Sequence, residues 1–177
     1  MSRRTLLWIT GIATFALLAI LAAIDTRLTD TGGPGIIGFE LAGTRSRAVE
    51  ILGDWGGKGR DDARLSLWID YAYLAAYGAF LALVVAALRD AAQRRGWRRF
   101  ARAGAVLVAF PIAAAVCDMF ENAFLLLVLG GHASLAPAAT SFAALKFALT
   151  TTATVFILAS LARLAAGRSG DRQRPVA

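Results

Sequence analysis

Four long apolar runs limit what this chain can fold into. They cover residues 5–24, 65–88, 103–129 and 138–164, and charged or glycine-rich segments separate them. Each has the roughly 20 residues that a helix needs to cross a bilayer. Inside lipid every backbone polar group must be satisfied within the protein, which leaves helices as the spanning element for runs of this length. Hydrophobic residues make up 58% of the 177-residue chain, above the roughly 45–50% of a soluble domain. The expected fold class is all-α, an integral membrane four-helix transmembrane bundle forming a single domain over residues 1–166. Residues 167–177 are expected to be a disordered cytoplasmic tail. The first run is longer than a secretory h-region and lacks a small-residue cleavage pattern after it, so it is read as a retained span.

The charges fix an orientation. Basic residues gather in MSRR at the N-terminus, in RDAAQRRGWRRFAR at 89–102 and in the C-terminal tail, whereas GGHASLA at 130–136 has no Lys or Arg. The positive-inside rule then places both termini and the 89–102 loop in the cytoplasm of a multi-pass protein of the bacterial inner (plasma) membrane. The net charge of +7 belongs to span ends that meet anionic headgroups, so membrane lipids and not nucleic acid are the expected partners.

Between the first two spans, DTRLTDTGGPG reads as a turn-rich stretch. Residues 37–55 follow, with Ile37, Leu41, Ala48, Leu52 and Trp55 near one helical face. That periodicity predicts an extracytoplasmic amphipathic helix, lying at the membrane interface or capping the bundle, ended by Gly53, Gly56, Gly57 and Gly59. Pro111 predicts a kink in the third span.

The third span also carries an anomaly. Asp118, Glu121 and Asn122 stand at i, i+3 and i+4 within AAAVCDMFENAFLLLVL. That spacing puts two carboxyls and an amide on one helical stripe. Ionisable groups at membrane depth are costly, so they face a bundle interior or a wet cavity and are candidates for function. With a rise of about 1.5 Å per residue, Asp70, Lys146 and the stripe all fall in the outer half of the membrane. Tyr73 and Tyr77 share a side with Asp70, and Thr150 lies one turn from Lys146. These residues, with Glu40 if the amphipathic helix folds over them, are the candidate ligand-binding set of one outward-facing acidic pocket. Cys117 is the only cysteine and His132 the only histidine. No disulfide and no histidine-based metal or haem site follows, and no cofactor is expected.

FELAGT (39–44), WGGKGR (55–60), LSLWIDYAYLAAYG (65–78) and CDMFENA (117–123) together resemble a group of small four-span bacterial inner-membrane proteins without an assigned activity. The resemblance covers residues 36–130. It implies the same topology and points to Glu40, Asp70, Tyr77, Asp118, Glu121 and Asn122, but to no reaction. GxxxxGK[ST], HExxH and GxSxG patterns are absent.

Three readings stay open at this level. In the first, the pocket binds a small amphiphile, by its headgroup, or a cation. In the second, the protein is an intramembrane acid–base enzyme on a lipid or isoprenoid substrate, with Asp118, Glu121 and Asp70 as the catalytic candidates and Lys146 a possible complement. In the third, it is a structural subunit, open to oligomerisation, whose buried charges only pair helices.

Overall fold

The structure, a computed structural model, describes residues 1–171. Those residues form six α-helices and one 3₁₀ turn, with no strand. Helix α1 is Arg3–Thr29, α2 is Ile36–Glu40, α3 is Arg45–Arg94, α4 is Arg98–Leu107, α5 is Phe110–Leu129 and α6 is Ala136–Asp171. Four stretches are long and apolar enough to cross a membrane: α1, α3, α4 with α5, and α6. Each spanning stretch begins before the apolar run that predicted it, and all but the third also continue past its end. Helix α6 continues to Asp171, into the segment expected to be a disordered tail; the rest of that tail, 172–177, lies outside the described residues.

Local chemistry sets the boundaries. Ser2 caps α1 by accepting from the Thr5 amide, and Thr44 caps α3 by accepting from the Arg47 amide, each serving a backbone donor left over in the first turn. Pro111 lies in the first turn of α5. Its missing N–H would be unpaired there in any case, so the expected kink takes the form of a break between α4 and α5.

The single amphipathic helix predicted over 37–55 is not formed. The chain makes α2, leaves the helix at Leu41, and starts α3 at Arg45. Helix α6 stabilises this break: the Thr140 hydroxyl donates to the Glu40 carbonyl and accepts from the Gly43 amide. Ala48, Leu52 and Trp55 are buried as expected, but Ile37 and Leu41 are about half exposed. Of the glycines expected to end the helix, Gly53, Gly57 and Gly59 are inside α3. Gly56 alone breaks the geometry, at φ +60° and ψ −160°, a conformation open only to glycine. There the first turns of α3 bend over to cap the bundle.

The cap has its own core. Phe39, Ile51, Leu52, Trp55 and Leu67 pack with Leu28 of α1, Leu125 and Val128 of α5, and Ala139 of α6. The Trp55 indole donates to the Pro34 carbonyl at 2.8 Å, and its ring lies 5.0 Å from that of Phe39. At the other end of the bundle Arg3 pairs with Asp90, and Arg163 lies over the rings of Trp97 and Phe100. The basic N-terminus, the 89–102 segment and the far part of α6 therefore share one end, and the cap occupies the opposite one.

Candidate functional site

Helix α5 turns its polar stripe inward. Asp118, Glu121 and Asn122 are at most 3% exposed, while Val116, Met119 and Phe120 on the other faces are 39–46% exposed. The stripe meets Lys146 of α6, itself buried. Its ammonium lies 2.8 Å from Glu121 Oε2, 3.0 Å from Asp118 Oδ1 and 3.2 Å from Glu40 Oε2. Glu40 ends α2, so one ammonium joins three carboxylates from α2 and α5. Among the described residues Glu121 Oε1 has no hydrogen-bond partner, and Glu121 Oε2 faces the ammonium without an aligned hydrogen bond.

Helix α3 completes the network. The Tyr77 hydroxyl donates to Asp118 Oδ2 at 3.0 Å, which leaves Lys146 and Tyr77 on separate oxygens of one carboxylate. Asn122 donates to Asp70 Oδ2 at 2.6 Å. The Tyr73 ring packs against that of Tyr77, tilted by 47° with centroids 5.1 Å apart. Burial pushes the Glu40 carboxyl above its ordinary pKa, and the neighbouring Lys146 ammonium only partly opposes this. Three carboxyls thus contact one ammonium, and Asn122 ties a fourth, Asp70, into the same network, an acidic excess that either holds protons or attracts a further positive charge.

Beside the network is a cavity of about 500 Å³, within the range of small-molecule sites. Glu40, Asp70, Tyr73, Tyr77, Asp118, Lys146 and Thr150 line it. The candidate set from the sequence therefore converges, with two members displaced. Glu121 and Asn122 are not among the lining residues; they stand behind, where Glu121 faces Lys146 and Asn122 holds Asp70. Thr150 lines the cavity, but its hydroxyl donates to the Lys146 carbonyl of its own helix.

Sequence reasoning missed Asp25 and the apolar wall. Asp25 lines the cavity and accepts from the Ile36 amide at 2.6 Å, holding α2 by its first turn. Its position directly after the first apolar run, at the depth of Asp70, was the available signal. Phe15, Leu18, Phe80 and Phe147 form much of the remaining wall. In an apolar run such residues carry no mark that separates them from lipid-facing neighbours.

No known family model, curated protein or solved structure matches the chain.

Proposed function

We propose that this protein is a four-span membrane protein whose acidic pocket binds a cation or the positively charged headgroup of an amphiphile. One observation carries this reading: Glu40, Asp118 and Glu121 share the ammonium of Lys146 beside a cavity of ligand size that a fourth carboxyl, Asp70, also lines. An acidic excess in a partly closed site is neutralised by a cation that brings its charge to the open side. Asp70 is that open side. It lines the cavity, and among the described residues its only hydrogen bond is to a neutral amide.

The distribution of charge supports an orientation with both termini in the cytoplasm and the α2 cap outside, because the end opposite the cap is strongly basic, whereas the 25–64 connection carries charges of both signs that nearly balance. In that orientation the pocket faces outward in the inner membrane of a bacterium. The FELAGT and CDMFENA segments support membership in the group of small four-span inner-membrane proteins that they resemble.

The test is equilibrium binding of butylamine, dodecylamine and dodecyl phosphate to the purified protein in lipid nanodiscs. Both amines should bind saturably, and dodecyl phosphate should not. Asp70→Asn and Asp118→Asn should each weaken amine binding by about tenfold or more, the loss of one charge-assisted contact. Amine affinity unchanged in both variants ends the proposal.

A further inference from the structure

Resting on that reading of the acidic pocket, we infer that its ligand is an amine-bearing amphiphile of the outer leaflet that enters sideways through the cleft between α1 and α6. The cavity has a direction. Helices α1 and α3 run antiparallel along it, with Asp25 and Asp70 near the cap and Phe15 and Phe80 at the other end, their rings 6.1 Å apart. From Asp70 to Leu81 is 11 residues, or about 16 Å of helix. That is half of the roughly 30 Å hydrocarbon core, the depth of one leaflet. Polarity falls along the same line, from carboxylates at the cap to an aromatic and aliphatic floor. A lipid of the outer leaflet has the same order, headgroup outward and chain toward the midplane.

The cap and the side wall determine the route. Helix α2 lies across the outer end, held by Asp25 at its start and by the Glu40–Lys146 pair and Thr140 at its finish. The side is less closed. Helix α1 packs on α3 and α6 packs on α5, and the cavity lies between α1 and α6. Its wall residues Phe15, Leu18 and Phe147 are 64%, 44% and 38% exposed. A cleft that opens through apolar side chains at membrane depth admits molecules already dissolved in the bilayer. The acidic end selects among them for positive charge. A lipid-borne amine meets both conditions, whereas a small aqueous cation meets only the second.

The experiment compares dodecylamine with butylamine in nanodiscs, using the parent protein and two variants on α1. Leu18→Trp fills the cleft at the level of the chain, and Ile20→Trp adds the same bulk at an exposed position off the cavity. In the parent, dodecylamine should bind about 100-fold tighter than butylamine when both affinities are referred to free aqueous amine, because half or more of its eight extra methylenes leave water. Leu18→Trp should weaken dodecylamine about tenfold more than it weakens butylamine, while Ile20→Trp should change neither. Equal affinity for the two amines, or no effect of Leu18→Trp, overturns lateral entry while the cation pocket stands. Absence of binding by either amine overturns both. A change in oligomeric mass in Leu18→Trp with dodecylamine binding intact assigns the cleft to a second copy of the chain and also overturns the inference.

Discussion

The Lys146 ammonium lies 2.8 Å from Glu121 Oε2, and Glu121 has no exposed surface. This contact joins α5 to α6 at the centre of the acidic cluster. Removing the ammonium leaves Glu40, Asp118 and Glu121 buried without a counter-charge, a defect worth about 3–5 kcal/mol. Lys146→Met should therefore destabilise the protein by about that amount in a denaturant titration in detergent. Adding Glu121→Gln to Lys146→Met should restore part of the loss, because it removes one of the stranded charges. Equal stability of the double variant and Lys146→Met would show that Glu121 and Lys146 are not coupled.

Tyr77 is the only residue of α3 with a hydrogen bond to Asp118 among the described residues. Tyr77→Phe keeps the ring against Tyr73 and removes the hydroxyl alone. The expected loss is about 1 kcal/mol, the usual net contribution of one hydrogen bond. Thermal unfolding of the two proteins measures it. A loss above about 3 kcal/mol would mean that the hydroxyl supports more than one carboxylate oxygen.

The polar stripe was legible because an ionisable group in an apolar run has few ways to be satisfied. Asp118, Glu121, Asp70 and Lys146 had to face inward, and shared depth was enough to bring them together. What periodicity could not show was which side of the network faces empty space. Asp118, Glu121 and Asn122 occupy one stripe, yet only Asp118 reaches the cavity. That outcome depends on how α3 and α6 pack around α5. The break after Glu40 was hidden for a similar reason. Its carbonyl is satisfied by Thr140, 100 residues away in sequence, and no local pattern reports a partner so distant. Thr150 lines the cavity, as its spacing from Lys146 implied, but spacing could not show that its hydroxyl serves its own helix.

Close approach of α3 and α5 positions Tyr77 against Asp118. At Gly78 a Cβ would stand 2.9 Å from Ala115 Cβ and 3.4 Å from the Pro111 carbonyl oxygen. The first distance is too short for two carbons, and Ala115 has no flexible end to move aside. Gly78→Ala should force the helices apart and cost about 1–3 kcal/mol, the usual range for overpacking. Combining it with Ala115→Gly should recover most of that loss, since the missing methyl on α5 leaves room for the new one on α3. Thermal melts of the parent, the single variants and the double variant complete the cycle, and additive losses would rule out this contact as the cause.

Glu40 gives the stability of the cap a pH dependence of definite sign. Burial is the largest influence on its carboxyl and raises the pKa from its ordinary value of 4.5, with Lys146 opposing. The folded protein thus holds the proton more tightly than the unfolded chain. The stabilising contribution of this group is fully present below about pH 4.5 and is lost as pH rises through the folded value. Glu40→Gln keeps the shape and stays neutral at every pH. Its melting temperature should therefore fall less than that of the parent as pH is raised from 5 to 9, and the gap between the two should widen in favour of the variant. The difference between the two curves isolates Glu40 from the other buried acids, which are common to both proteins. A gap that widens in favour of the parent would mean that the Lys146 ion pair, and not burial, dominates the environment of Glu40.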